Sequence, residues 1–120
     1  MPDLIGSPTR LETPGNVPKI VEEYFGFINT DDTKLSVAYV TSPPGWIGPG
    51  QRSDFDEFTV VLKGTLQVAH RGGQIEVNAG QAIHAHRHEW IQYSTPDASG
   101  AEYFAVCIPA FTRATVHRDL

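Results

Sequence analysis

Turn-forming residues recur along this chain at intervals that leave room only for short structural elements. The 120 residues include 11 glycines and nine prolines, and the runs between them are rich in β-branched and aromatic residues. Residues 35–41 (LSVAYVT) alternate in polarity like a half-buried strand. Turns are predicted at residues 71–73 and 78–80, and a hairpin at Lys63 and Gly64 between strands 57–62 and 65–69. About eight short strands without an amphipathic helix favour an all-β sandwich or barrel.

The first 18 residues differ in composition from the rest of the chain. Pro2, Pro8, Pro14 and Pro18 all lie in this segment. Because proline lacks a backbone donor, the segment is predicted to be an extended arm rather than a helix or a central strand. The length suits one domain. We therefore expect an arm over residues 1–18 and one β domain over residues 19–120.

Charge and cysteine content exclude several classes of protein. The formal net charge is −5, and the nine lysines and arginines form no cluster, so a nucleic-acid partner is not expected. Cys107 is the only cysteine and cannot form an internal disulfide, which indicates a reducing compartment. No signal peptide and no apolar run of membrane-spanning length is recognisable. The sequence predicts a cytoplasmic protein without a membrane partner.

A motif-like pattern lies in the middle of the chain. Residues 57–64 (EFTVVLKG) contain a glutamate, six further residues and a glycine, preceded by the loop 48–56 (GPGQRSDFD). This segment resembles the first cupin motif, G-x5-H-x-H-x3-E-x6-G, and a segment similar to the second motif, G-x5-P-x-G-x2-H, opens at Ala79 and Gly80. Three further segments resemble a group of small single-domain bacterial cupins that is similar to the ethanolamine-utilisation cupins. They are residues 43–51 (PPGWIGPGQ), 89–96 (EWIQYSTP) and 101–111 (AEYFAVCIPAF). The resemblance implies a jelly-roll (double-stranded β-helix) barrel, a homodimer and a buried small-molecule pocket.

The resemblance also indicates what the pocket lacks. Metal-binding cupins use three histidines and a glutamate, and the corresponding positions here are Gln51, Ser53, Glu57 and Ile91. Only Glu57 is an ordinary ligand, so the usual metal site is absent and no cofactor is expected there. Gln51 and Ser53 are instead predicted to hydrogen-bond a substrate, and Ile91 to line its pocket.

Histidines offer a second possibility. His84, His86 and His88 alternate, and alternate residues of a strand point to the same face. Together with Glu57, His84 and His86 could hold one divalent transition metal with an open coordination position. The competing interpretation is a set of polar residues on an exposed turn, and the sequence leaves both open.

Acid–base chemistry is the leading hypothesis for the pocket. By the motif, Glu57 begins a strand whose alternate residue Thr59 points inward, and burial would raise the pKa of the glutamate towards the range useful for proton transfer. Tyr93 shares the parity of Ile91 and could polarise a substrate oxygen, while Trp46, in a Pro/Gly loop, could close the mouth. The alternatives are a rim ion pair for Glu57 and a core aromatic for Tyr93.

Two other residues are expected to be inert. Cys107 lies in an apolar run with no evident base, which indicates a buried thiol. Period two groups Glu23 with Lys19, and Glu22 with Tyr24, without deciding which set faces inward. Glu23 could be a second carboxylate of the pocket, but a solvated edge position is the favoured interpretation.

Three functions follow from these residues. The first is a lyase-type or isomerase-type enzyme acting on a small polar or carbonyl metabolite, with Glu57 moving the proton, Tyr93 polarising the oxygen and Gln51 orienting the substrate. The second is a metal enzyme using His84, His86 and Glu57. The third is a non-catalytic cupin that binds a small ligand.

Overall fold

The computed structural model describes all residues, Met1–Leu120, and consists almost entirely of antiparallel strands. The elements in chain order are β1 (Thr9–Leu11), β2 (Ile20–Phe25), β3 (Ser36–Ser42), β4 (Trp46–Ile47), β5 (Asp56–His70), β6 (Gly73–Asn78), β7 (Ala82–Ala85), β8 (Ile91–Thr95), β9 (Ala101–Ile108) and the single-turn helix α1 (Arg113–Val116). The prediction of an all-β jelly-roll barrel is confirmed. The structure contains no helix with the length and apolar character needed to cross a bilayer.

One long strand, β5, joins the two halves of the barrel. Its first half pairs with β9 on one side and β7 on the other, and its second half pairs with β6 and β8. The larger sheet continues from β9 through β3 and β2 to β1, so the predicted N-terminal arm contributes an edge strand. The curled sheets enclose an interior into which alternate residues of each strand point.

The predicted hairpin at Lys63 and Gly64 is wrong, because β5 runs through both residues without reversing. Its register against β9 shifts between Val61 and Lys63, and Gly64 adopts a φ of 73°. A left-handed glycine marks a reversal in many hairpins, but here it marks the bend at which one strand passes between two sheets. The predicted turns at 71–73 and 78–80 do connect β5 to β6 and β6 to β7.

A core of apolar side chains fills the barrel beside the cavity described below, and three of its members (Val21, Val40 and Tyr103) also line that cavity. Its ten buried members are Val21, Val40, Val61, Leu66, Val68, Val77, Ala85, Ile91, Ala101 and Tyr103. A smaller cluster joins Phe55, Cys107 and Val116, which fastens the C-terminal helix to the barrel. Burying these side chains is the main favourable contribution to folding.

Candidate active site

The interior contains a cavity with a volume of about 110 Å³, far more than one water molecule needs. Nineteen residues from the arm, the large sheet, β8 and the C-terminal segment line it. Those with polar or ionisable side chains are Glu12, Thr13, Lys19, Glu23, Ser36, Gln51, Glu57, Thr59, Tyr93, Tyr103, Cys107 and Arg118. Such a cavity, mixed in polarity and holding several ionisable groups, is the usual form of a small-molecule site.

Glu57 occupies the centre of the polar wall. It is the second residue of β5 and shares its inward parity with Thr59 and Val61, which are 1% and 0% exposed. The hydroxyl of Tyr93 donates to Oε1 of Glu57 over 2.8 Å, and Sγ of Cys107 lies 3.8 Å from Oε2. The structure thus brings together the two residues to which the sequence assigned acid–base roles.

Opposing influences act on the pKa of Glu57. Burial raises it, while the Tyr93 hydroxyl, the Lys19 ammonium and the Arg118 guanidinium each favour the ionised form. Burial lowers the pKa of Lys19 to about 8, with Glu57 opposing that change. Burial also raises the pKa of Tyr93 well above its usual value, so its hydroxyl remains a donor. The result is a carboxyl group whose pKa is raised by burial while neighbouring donors and cations still favour its ionised form, the setting of a group that exchanges protons.

Gln51 and Trp46 line a second, smaller pocket that adjoins the main cavity. Gln51 lines both, and Trp46 lines only the smaller one. The Trp46 ring is 2% exposed, and Nζ of Lys19 lies 3.9 Å from its centroid. Trp46 is therefore a buried wall residue of the smaller pocket and a cation–π partner for Lys19.

Two residues that the sequence predicted in the substrate pocket lie elsewhere. Ser53 is 4% exposed and does not line the cavity, because its hydroxyl donates to the carbonyl of Phe55 over 3.0 Å. Ile91 belongs to the apolar core, and its backbone pairs with Gln51. Both predictions are corrected. The loop before β5 leaves the alternation of the strand and turns the Ser53 side chain to a backbone carbonyl, whereas the Ile91 side chain, on β8, packs into the apolar core.

The predicted metal set of His84, His86 and Glu57 does not exist in the structure. Ala85 pairs with Glu57 and is buried, so His84 and His86 point to the outer face of the sheet while Glu57 points inward. His88 adopts a φ of 70°, which breaks the alternation, and its Nε2 lies 3.3 Å from Oδ1 of Asp54. The three imidazoles therefore cannot share one ion with Glu57.

A different combination of metal-binding side chains forms on that outer face. Potential ligand atoms of Asp56, His84 and His86 all lie within 4.8 Å of one another. Arg87 already forms a salt bridge with Asp56, however: its Nη2 and Nε lie 2.8 Å and 3.1 Å from Oδ2 of Asp56. This pairing holds the pKa of Asp56 at about 2. The cluster is separated from the cavity by the sheet itself.

The cavity also does not fit the metal that the cupin resemblance would usually imply. Of the four positions that correspond to the ligands, Gln51 and Glu57 line the cavity, whereas Ser53 and Ile91 do not. The motif positions thus offer the cavity one carboxylate and one amide, which are too few donors for the metal site of the usual cupins. The chemistry of this cavity is therefore derived below from its own acids and bases.

Several residues of the site were either missed by the sequence reasoning or, like Glu23, considered without a decision on their direction. Lys19, directly before β2, and Val21 and Glu23 on β2 are alternate residues. Their side chains all point into the barrel and line the cavity. Glu23 is 2% exposed, which corrects the interpretation of a solvated edge. The buried Val21 was the available signal, since an apolar residue flanked by polar ones identifies the inner face. Arg118 enters from the C-terminal tail, where no strand pattern exists.

The shared strand β5, the curled sheets and the enclosed polar cavity define a barrel of the cupin class. Solved structures agree. The polyketide cyclase RemF from Streptomyces resistomycificus matches with a TM-score of 0.76 and 15% identity, covering 100% of this chain and 85% of that one. The Streptomyces nucleoside dehydratase Pac13 matches with a TM-score of 0.75 and 14% identity, covering 97% and 88%.

EutQ from Clostridium difficile matches with a TM-score of 0.61 and 20% identity, covering 78% of this chain and 64% of that one. The chain is a small cupin by fold, and EutQ is among the cupins it resembles. No protein-family model matches the sequence. A curated relative, endoribonuclease YbeY of Myxococcus xanthus, is 34% identical over 101 residues. These residues are 84% of this chain and 34% of that protein, so the chain spans about a third of the relative's length.

Proposed function

We propose that this protein is an enzyme of the lyase or isomerase type, which moves protons on a small polar or carbonyl-bearing metabolite held in the cavity. The observation that carries the proposal is the inward-facing Glu57, hydrogen-bonded to Tyr93 and close to the cations of Lys19 and Arg118. Burial raises the pKa of this carboxyl group while the neighbouring hydroxyl and cations lower it. Such a perturbed carboxyl group in a cavity wall is a typical candidate for a general base.

The contacts suggest a division of roles. The Tyr93 hydroxyl is engaged with Oε1 of Glu57, so it orients the carboxylate and leaves Oε2 to face the substrate beside the weak Cys107 donor. The Lys19 ammonium and the Gln51 amide, which line the same cavity, would bind and polarise a carbonyl oxygen. Tyr93 thereby acts as a positioning residue rather than as the direct oxygen ligand that the sequence suggested.

The structural neighbours support this class of chemistry. One is named a polyketide cyclase and another a nucleoside dehydratase, and both names describe reactions on small molecules. The curated relative is named an endoribonuclease, but the net charge of −5 and the lack of a basic cluster argue against RNA as a substrate for this chain.

A panel screen tests the proposal. Small hydroxy acids, oxo acids, sugars and nucleosides are incubated with the protein in D₂O, and NMR follows both carbon-bound deuterium and product formation. Turnover or exchange of at least one compound supports an acid–base enzyme. Compounds that raise the melting temperature without any exchange or turnover would contradict it and indicate a ligand-binding cupin instead.

Removing metal ions is expected to leave this activity intact. The Asp56–His84–His86 cluster lies on the outer face, and a metal there would have to displace the two-point Arg87 contact with Asp56. We expect less than one equivalent of metal by mass spectrometry and unchanged turnover after chelation, in the wild type and in His86→Ala alike. Near-stoichiometric metal that His86→Ala removes together with turnover would contradict this prediction.

We further propose that two copies of the chain pair through the outer face of the large sheet. Phe58, Val60 and Leu62 alternate outward on β5 and are 38%, 45% and 45% exposed. Phe104 pairs with Val60 across the sheet, and its ring packs 5.2 Å from that of Tyr39, which extends the apolar face towards β2. A single face of this kind is self-complementary under a two-fold axis.

Sedimentation velocity tests the dimer. Val60→Glu is expected to convert a dimer to a monomer, because it would bury two charges at the shared face. Ile75→Glu, at a similarly exposed residue on β6, serves as the matched control and should leave the dimer unchanged. A wild-type protein that sediments as a monomer at tens of micromolar would refute the proposal.

A further inference from the structure

A second carboxyl group, that of Glu23, lines the same cavity as Glu57. Glu23 lies in the middle of β2, where its backbone is in register with Thr9 of β1 and Ala38 of β3. Its residue is 2% exposed, and its side chain is among those that line the cavity. The neighbouring Glu22 has the opposite parity and is half-buried on the outer face.

Neither oxygen of the Glu23 carboxyl group has a hydrogen-bond partner within the usual limits of distance and angle, and the backbone of Ile28 gives it only a weaker, poorly aligned contact. The group packs directly on Gly26, whose φ is 153°, and a Cβ at that position would overlap Oε1. The glycine thus makes room for the carboxyl group without offering it a donor. A buried polar group without a partner is costly and rare in native proteins, so its presence in a cavity wall indicates a role there, such as catalysis.

The two carboxyl groups of the cavity experience different electrostatic surroundings. Lys19 and Arg118 favour the ionised form of Glu57. Burial raises the pKa of Glu23, the Ile28 backbone offsets part of the rise, and no cation contributes. Cys107, another residue of the cavity wall, is not a competing acid. Burial raises the pKa of its thiol well above the usual value, and the charges of Glu57 and Glu23 raise it further, so the thiol stays neutral. Burial raises the pKa of both carboxyl groups, but only Glu57 has cations beside it that favour its ionised form. Such a difference in surroundings can divide the roles of base and acid between two carboxyl groups.

We propose that Glu23 is the general acid of the cavity, which protonates an oxygen of the substrate while Glu57 acts as the base. This inference rests on the proposed function and specifies the substrate class, a β-hydroxy carbonyl compound. Its carbonyl oxygen meets Lys19 and Gln51, and its hydroxyl oxygen meets the unpartnered carboxyl group of Glu23.

The reaction is an elimination of water. The Glu57 carboxylate takes the proton from the carbon beside the carbonyl group, and that electron pair forms the new carbon–carbon double bond. The bond from the β-carbon to the hydroxyl oxygen breaks, and the oxygen leaves as water with the proton of Glu23. Glu57 ends protonated and Glu23 ionised, and exchange with water restores both before the next turnover.

The ionisation of Glu23 can be measured without a substrate. Protein labelled with carbon-13 at the glutamate side-chain carboxyl shows signals from seven glutamates, and Glu23→Gln and Glu22→Gln assign the two of interest. The Glu23 signal is expected to titrate at higher pH than a glutamate in the unfolded chain. If it titrates at or below the value of the unfolded chain, Glu23 is not a neutral acid and the proposal is wrong.

Thermal stability provides a second measurement. Because burial raises the pKa of Glu23 above its value in the unfolded chain, the wild type should lose stability as pH rises between these two values. Glu23→Gln cannot ionise, so it should raise the melting temperature by about 3 °C or more, with a larger gain at pH 8 than at pH 5. Glu22→Gln should show no such pH-dependent gain, and equal behaviour of the two variants would contradict the proposal.

Turnover of a β-hydroxy carbonyl compound separates this inference from the proposed function. Glu23→Gln should lose elimination by about 100-fold or more but still exchange the carbon-bound proton with D₂O, because Glu57 remains. Full elimination by Glu23→Gln would refute the role of Glu23 alone. Undiminished exchange by Glu57→Gln would instead refute the proposed function, whatever Glu23 does.

Discussion

Replacing Glu57 with glutamine is expected to reduce proton exchange and turnover by about 10²–10⁴-fold, the usual contribution of a general base. The amide matches the carboxylate in shape, and its oxygen can still accept the 2.8 Å hydrogen bond from Tyr93. The fold should therefore survive, and only the capacity to take a proton should be lost. Deuterium incorporation measured by NMR at saturating substrate isolates this step from binding.

The matched control is Glu76→Gln on β6, an exposed residue that does not line the cavity. It should retain full activity. A Glu57→Gln protein that binds the same ligand and turns it over at the wild-type rate would contradict the assignment of the base.

The pH profile should report the same group. Activity should rise with pH as Glu57 ionises, at a pKa that burial has raised, and fall again as Lys19, whose pKa is about 8, loses its charge. If the Lys19→Met variant shows the same loss of activity at alkaline pH as the wild type, another group and not Lys19 causes that loss.

How much of this site was visible in the sequence depends on where strand alternation holds. Glu57 and Thr59 lie on a regular strand, so the motif position and a period of two predicted their inward direction, and both line the cavity. Tyr93 also lines it, but the sequence left the inward face of residues 81–94 open. Ser53 lies in the loop before β5, where no period applies, and its side chain turned to a backbone carbonyl instead.

The histidines and Glu23 show that alternation along a strand groups side chains by face, whereas the pairing of strands decides which face points inward. Alternation alone correctly put His84 and His86 on one face, but only the register of Ala85 opposite Glu57 shows that this is the outer face. In the same way, the parity of Glu23 with Lys19 was evident from the sequence, but its inward direction depends on the pairing of β2 with β3. Contacts between distant strands, which one sequence does not reveal, decide such cases.

Gly64→Ala is expected to destabilise the protein by about 3 kcal/mol or more, among the largest effects of any single substitution away from the site. Gly64 lies at the bend of β5 with a φ of 73°, and a Cβ there would overlap the backbone carbonyl oxygen of Gly100. Both partners are backbone in a paired region, so neither can move without disturbing the β5–β9 pairing, which places Gly64 opposite Ala101. Urea unfolding followed by tryptophan fluorescence measures the loss.

Gly80→Ala separates the two causes of this effect. Gly80 has a similar φ of 86°, but nothing lies within 4 Å of a Cβ built there. Its loss should be only the about 1–2 kcal/mol that a left-handed alanine costs. Asparagine tolerates this conformation better, so Gly80→Asn should recover part of the loss, whereas Gly64→Asn should be as damaging as Gly64→Ala because the Cβ itself collides. Equal losses at the two glycines, or a rescue by asparagine at both, would mean that backbone strain rather than the close approach of β5 to Gly100 fixes this position.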